Sequence, residues 1–251
     1  MAQREKIMIH KADSQGYYRE TEKKWNSSRP VHNRVDSEFF DDCVQEVRRS
    51  ISLQPGCKIL DIGCGTGEML QKFKEMGFLV YGFDFALQKI QEAISLNPTL
   101  PVWKQSFLES MGTARYDLVM SFGVIQFCLP TDLKLLFYNC MQATNKNGKV
   151  AHFSVPVIEK IEKANGVYFR CSGLRAMSQI RHQIIQANMN SKSVFEDGTF
   201  FHSLSKMREI VRDLGGKLRV VDEDHQSYRV NICIEHELEG DYSVGESVSY
   251  F

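Results

Sequence analysis

The sequence predicts an α/β protein built on a doubly wound sheet of seven strands, mostly parallel and closing in an antiparallel terminal hairpin. Three observations carry this. From Lys58 onward, short apolar runs alternate with amphipathic stretches of helical period, the pattern of strands joined by crossover helices. Turn signals punctuate the ends of those helices: Gly77, Asn97-Pro98, Asn147-Gly148 and Gly215-Gly216. The last two apolar runs are separated by no more than Glu223 to Tyr228. A parallel connection needs about a dozen residues, so these two strands must run antiparallel.

In chain order, residues 1–50 carry mixed charge and the aromatics Tyr17, Tyr18 and Trp25, then a helical stretch from about Asp36 to Ile51. They read as an N-terminal cap or lid. Strands are expected at Lys58–Ile62, Leu79–Phe83, Val102–Gln105, Tyr116–Ser121, Val150–Ser154, Lys217–Asp222 and Arg229–Glu235. Helices are expected at Gly67–Met76, Ala86–Leu96, Thr131–Thr144 and Ser205–Leu214. Residues 51–156 and 204–236 thus form the core. Residues 157–203 form an insertion in which Leu174, Met177, Ile180, Ile184 and Ile185 recur at helical spacing. Connections this long usually have structure and function of their own. Residues 237–251 form an acidic tail without Lys or Arg.

Composition narrows the function classes. The 31 basic and 31 acidic residues cancel, which removes a global attraction for nucleic acid. The seven cysteines (Cys43, Cys57, Cys64, Cys128, Cys140, Cys171, Cys233) are odd in number and form no C-x-x-C pair. They read as reduced thiols, neither a disulfide framework nor a zinc site. The N-terminus lacks an apolar signal core. The longest apolar stretch, Leu118 to Leu129, is too short for a bilayer. The expectation is a soluble, cytoplasmic chain.

The residues that carry chemistry begin at Ile59-Leu60-Asp61-Ile62-Gly63-Cys64-Gly65-Thr66-Gly67-Glu68. An apolar strand runs into three alternate glycines and then a helix start. Glycine lets backbone approach a ligand closely or turn through positive φ, and the N–H groups of the loop and helix N-terminus then face a nucleotide-like ligand. Read from Gly65, a dinucleotide fingerprint would need its third glycine at Leu70, so the spacing argues against NAD. Asp84 ends the next strand 19 positions after Gly65, where a carboxylate can accept from both hydroxyls of a ribose.

This string resembles the first motif of the class I S-adenosylmethionine (SAM)-dependent methyltransferases, and the likeness extends over roughly Lys58 to Glu235. It implies SAM as cofactor and the seven-stranded sheet with its terminal hairpin. Backbone at Gly63, Cys64, Gly65 and Gly67 would approach the methionine part, with Asp61 near its amino group. Asp84 would hold the ribose, the competing role being a cap for the helix from Ala86. Phe85 would pack on adenine. Ser106 stands where the family commonly has an Asp that receives the adenine amino group, and the backbone of Phe107 would meet a ring nitrogen. Phe122 and Gln126 lie on the fourth strand's exit toward the cofactor. Gln126-Phe127 replace a Glu-His pair of many small-molecule members, which leaves neither an acid/base pair nor a metal site there.

The acceptor side is less defined. His202, in Phe200-Phe201-His202-Ser203, is the candidate base; the competing reading is a solvated loop or capping histidine. His152 reads as a satisfied, buried strand histidine, and His182 as exposed beside Arg181. Tyr17, Tyr18 and Trp25 either close over the cofactor or simply pack an N-terminal helix. Arg170, Arg175 and Arg181 either grip an anionic acceptor or form a solvated face. The activity implied is methyl transfer to a small molecule (a sugar, lipid precursor or natural product), on oxygen, with no nucleic-acid or membrane partner. The alternatives are a protein or nucleic-acid methyltransferase and a non-catalytic SAM-binding module. Balanced charge, and Phe122-Gly123-Val124 in place of an Asn-Pro-Pro-Tyr-like motif, count against the first of these.

Overall fold

The computed structural model describes residues 16–23, 26, 37–165, 174–190, 198–222 and 228–237. One sheet holds β1 (Lys58–Ile62), β2 (Leu79–Asp84), β3 (Val102–Lys104), β4 (Tyr116–Phe122), β5 (Thr144–Pro156), β6 (Gly216–Asp222) and β7 (Arg229–His236), in the order β3-β2-β1-β4-β5-β7-β6. Strands β1 to β5 pair in parallel, and β7 runs antiparallel to both β5 and β6. The expected doubly wound sheet and terminal hairpin are both present. Every expected core strand and helix has a counterpart, with ends shifted by a residue or two except in β5.

The strands alternate their side chains between two faces, and each face has its own helical cover. Leu60, Ile62, Val119 and Ile232 meet α5 (Leu133–Ala143) and α7 (Leu204–Asp213) through Leu136, Phe137, Cys140, Met207 and Val211. On the other face Ile59, Leu118, Met120, Ala151 and Phe153 meet three helices. These are α2 (Ser37–Ser50), α3 (Glu68–Glu75) and α4 (Leu87–Leu96), through Val44, Val47, Leu70, Phe73 and Ile90. The expected N-terminal helix is thus α2, and it is part of the core's cover. A shorter helix, α1, spans residues 16–23.

The insertion has a core of its own. A 3₁₀ segment, Ile158–Ala164, packs Ile158, Ile161 and Ala164 against Ile184 of α6 (Leu174–Met189) and against Phe201. The helical spacing located α6, but not its buried face in full. Ile184 is buried and Met177 and Ile180 pack on the cluster, whereas Leu174 is 91% exposed.

The turn expected at Asn147-Gly148 is replaced by a strand that begins at Thr144 and bulges, the β4 register stepping from Tyr116↔Thr144 to Leu118↔Lys149. A Cβ at Gly148 would meet the carbonyl oxygens of Asp117 and Tyr116 at 2.9 and 3.0 Å, so this glycine admits close backbone approach within a sheet. A second bulge separates His152 from Val155 opposite β7. Ser154 sits there at φ 60, a left-handed conformation that costs a non-glycine residue on the order of 1 kcal/mol. Its backbone is held by side chains: Asn231 Oδ1 accepts from Ser154 N–H (2.9 Å), and Arg229 Nη1 donates to Ser154 O (2.7 Å).

The fold makes a quantitative contrast. Phe137, fully buried in α5 against His152, should lose about 3–5 kcal/mol of stability as Phe137→Ala. Leu174→Ala should stay within about 0.5 kcal/mol. Urea unfolding of both variants measures the difference.

Candidate functional site

The strand order reverses between β1 and β4, because β2 and β3 add on one side and β5 to β7 on the other. Ligands of open α/β sheets bind in the crevice beyond the carboxyl ends of the strands at such a point. The glycine loop fills one side of that crevice. Gly63 N–H and Cys64 N–H both donate to Phe83 O (2.7 and 3.1 Å), which ties the loop to β2. Gly65 N–H donates to Asp84 Oδ2 (3.1 Å), while Asp84 Oδ1 accepts from Ala86 N–H (2.8 Å). One carboxylate therefore clasps the loop and the turn into α4 together.

The loop glycines differ in what surrounds them. At Gly65 (φ 56) a Cβ would meet no protein atom within 4 Å, so that side of the loop is open. At Gly63 (φ 71) a Cβ would fall 2.5 Å from Val124 Cγ2, because the β4 exit closes directly over it. Gly67 is the N-cap of α3 and lies close to Leu100. The Cys64 side chain is buried, toward Gly82, so only its backbone belongs to the loop's inner surface.

Two carboxyl groups are buried here. Asp84 is 7% exposed; burial raises its pKa, and the N–H groups of Ala86 and Gly65 and the charge of Lys89 pull it back. Asp61, at 3% exposed, has no such relief. Its Oδ1 lacks any hydrogen-bond partner, and burial, with Asp84 beside it, raises its pKa well above the usual carboxylate value. The Cys64 thiol is pushed up by burial and by both aspartates, so it is not a nucleophile.

Phe85 is half-buried at the end of β2. Ser106 Oγ accepts from Leu108 N–H (3.2 Å), and Phe107 is buried under Tyr18 with ring centroids 5.3 Å apart. Phe122 stacks on Phe153 (6.1 Å). Gln126 lies in the 3₁₀ turn Ile125–Phe127. Trp25, Arg170 and the acidic tail from residue 238 lie outside the described residues. Arg175 is exposed, and Arg181 donates to Ile158 O (3.2 Å) and faces Glu162.

His202 is not a solvated loop residue: it is 1% exposed, with Nε2 2.9 Å from Ile125 O. A carbonyl only accepts, so Nε2 carries the proton and the lone pair is on Nδ1. Burial lowers its pKa to about 4, which keeps the ring neutral. His152 is buried as expected but only half satisfied. Nδ1 meets Ser121 Oγ (2.8 Å), Nε2 has no partner, and burial lowers its pKa to about 3.

Sequence reading missed a polar chain behind the β4 exit. Gln126 Nε2 donates to Gly123 O (2.8 Å), and Arg229 Nη2 donates to Gln126 Oε1 (2.9 Å). Arg229 also holds Ser154, and Asn231 links Ser154 to Glu46 of α2. The available signal was Asn231 itself, a lone amide between Val230 and Ile232 in an apolar strand, where a buried polar group needs partners.

Helix α1 is strapped across the same rim. Tyr18 O–H donates to Asp132 Oδ2 (3.0 Å) and accepts from Leu129 N–H (3.0 Å), and Tyr17 reaches Phe127 O (3.4 Å). Beyond it Glu22 pairs with Lys104 (2.5 Å), and Asn26 accepts from Gln88 N–H (3.4 Å). The contacts of α1, and of Asn26 beyond it, thus reach from the β4 exit to the start of α4. A separate groove of about 520 Å³, lined by Thr113, Met141, Gln142, Lys146 and His236 among others, lies at the amino-terminal ends of β4 and β5, away from the glycine loop at the carboxyl end of β1. Tyr18→Phe should cost about 1–3 kcal/mol, because it removes a buried hydroxyl that both donates and accepts; urea unfolding measures it.

Residues 59–148 match the family model described as a methyltransferase domain. A protein of Geobacillus sp. (strain WCH70) described as a methyltransferase is 29% identical over 94 residues, 36% of this chain and 38% of that one. The malonyl-[acyl-carrier protein] O-methyltransferase of Erwinia billingiae (strain Eb661) is 27% identical over 110 residues, 43% of each. The chain thus spans less than half the length of these curated relatives. Magnesium protoporphyrin IX methyltransferase from Synechocystis PCC 6803, solved with bound S-adenosylhomocysteine (SAH), shares the fold at TM-score 0.53 and 16% identity, over 80% of this chain and 83% of that one. Among the described residues no helix is long and apolar enough to cross a membrane, and no cluster of potential metal ligands is found. The family match thus covers the segment that carries the glycine loop, residues 59–148, and the solved methyltransferase shares the fold.

Proposed function

We propose that this chain transfers a methyl group from SAM to a small-molecule acceptor, on oxygen, in the cytoplasm. The observation that carries the reading is the crevice at Gly65: open on its Cβ side, with its N–H fixed on a buried carboxylate and the unpartnered Oδ1 of Asp61 nearby. These residues fit SAM. An adenosyl ribose needs a paired acceptor, and each oxygen of Asp84 keeps a lone pair beyond the backbone N–H it already accepts. A methionine ammonium needs a buried anion without a cation of its own, and Asp61 has no ion pair among the described residues. Phe85, Ser106 and Phe107 would border the adenine, with Gly63, Cys64, Gly67, Phe122 and Gln126 at the methionine end.

When bound, SAM supplies a methyl group already activated by its sulfonium, so the protein's task is to align and to exclude water. Within residues 1–50, helix α1 with Tyr17 and Tyr18 serves as the cap over residues 51–156 and 204–236, Trp25 being assigned to it from the sequence, while residues 157–203 shape the acceptor side. His202 is the candidate base, through Nδ1. The O-methyltransferase among the relatives supports oxygen as the acceptor atom, and balanced charge supports a small acceptor over a polyanion.

Thermal unfolding with SAH tests the cofactor assignment. At about 100 times its Kd, a ligand of the native state adds about 2.7 kcal/mol of stability. The wild type should show such a shift and Asp84→Ala should lose most of it. No shift with SAM or SAH overturns the reading, and a retained shift in Asp84→Ala overturns the ribose role. Formation of SAH in the presence of a panel of hydroxyl and carboxyl acceptors tests the rest. A methylated polypeptide or nucleic acid as the product would replace the small-molecule reading, and binding without turnover on any acceptor class would make the chain a SAM-binding module.

A further inference from the structure

Asp61 is a buried carboxyl whose Oδ1 has no hydrogen-bond donor. Along β2 it faces Gly82 and then Asp84, and in the register of β4 it faces Met120. The glycine loop brings the Cys64 thiol, the first turn of α3 brings Glu68 toward that thiol, and the nearest helpful cation, Lys89, acts on Asp84. Every titratable group that reaches it is therefore an acid, and its Oδ1 is buried without a donor. Asp84 differs, since two backbone N–H groups hold its charge. A buried carboxyl in Asp61's position gives up its charge rather than bear the loss of solvation. Of the pair, Asp84 has backbone donors that favour its carboxylate form, and Asp61 Oδ1 has none.

We propose that Asp61 holds its proton in the free protein and that the ammonium of SAM or SAH displaces it, so that cofactor binding is an exchange of a proton for a cation. The inference rests on reading this crevice as the SAM site. The balance is simple. The Asp61 O–H bond breaks, its proton passes to the solvent buffer, and the ligand's ammonium keeps its protons and donates to the resulting carboxylate. The ion pair then satisfies the oxygen that had no donor.

The signs follow from the direction of the Asp61 shift. Below its free-protein pKa the carboxyl is protonated, so affinity for an ammonium ligand falls about tenfold for each unit of lowered pH; above it, affinity is flat while the ligand's amine is charged, below about pH 7.5. Stability of the ligand-free protein moves oppositely. The folded chain binds a proton that the unfolded chain has released, so stability declines as pH rises from about 4, the unfolded value, to the raised folded value, and stays lower above it. Asp61→Asn removes this penalty. Function retains an acid that the empty fold is better off without.

Calorimetric titration with SAH, in two buffers of different ionisation enthalpy and at a series of pH values, reads the proton directly. The wild type should release close to one proton per SAH below the Asp61 pKa, and 5′-methylthioadenosine, which lacks the amino-acid end, should release none. Asp61→Asn should release none with either ligand, bind SAH about tenfold or more weakly, and show a higher ligand-free Tm near neutral pH. SAH binding to the wild type without proton release at any pH overturns the exchange while leaving the cofactor assignment intact. Failure of both ligands to bind overturns that assignment, and the exchange with it.

Discussion

Asp84 accepts Gly65 N–H on one oxygen and Ala86 N–H on the other, buried at the end of β2. That clasp fixes where the glycine loop can be, and much else depends on where the loop is. With Gly65 drawn to β2, its Cβ side is turned to open space, and the N-terminus of α3 begins at Gly67 in a left-handed turn. The loop then passes close enough to the β4 exit for Val124 to seat on Gly63. Asp61 is sealed in by the same arrangement. A single buried acceptor thus both builds the crevice and creates the unrelieved carboxyl within it.

The far wall of the crevice is held by a second polar system. Arg229 reaches from β7 to Ser154 and Gln126, Asn231 joins Ser154 to α2, and Gln126 pins Gly123. The left-handed turn at Ser154 has its reason here: it aims a carbonyl at Arg229 and an N–H at Asn231. His202 adds a stitch from the insertion to Ile125. Glycine loop and β4 exit are therefore both fixed by side chains that are buried or half-buried, which is how a site made of loops keeps its shape.

Much of the fold was legible in the sequence because periodicity reports it directly. Strand β1, the crossover helices and the short β6–β7 connection follow from apolar spacing and turn residues. The start of β5 was not legible, since Asn147-Gly148 looks like a turn by composition and only the sheet shows a bulge admitting two carbonyls. On the cofactor side, Asp61, Gly65 and Asp84 are near one another in sequence and fall into one cluster. The remainder depends on long-range pairing. Arg229 lies 103 positions from Gln126, and Tyr18 lies 114 from Asp132. Burial of His202 comes from a chain crossing that local sequence does not encode. Its neutrality and its bond to Ile125 could be learned only once β5 and the insertion were in place.

A crystal structure of this chain with SAH tests the central claim most directly. The account predicts both ribose hydroxyls within hydrogen-bond distance of Asp84, the ammonium against Asp61 Oδ1, and the ligand's backbone passing over Gly65. Ligand density elsewhere, such as in the groove lined by Met141, Lys146 and His236, or an ammonium that turns away from Asp61, would contradict it.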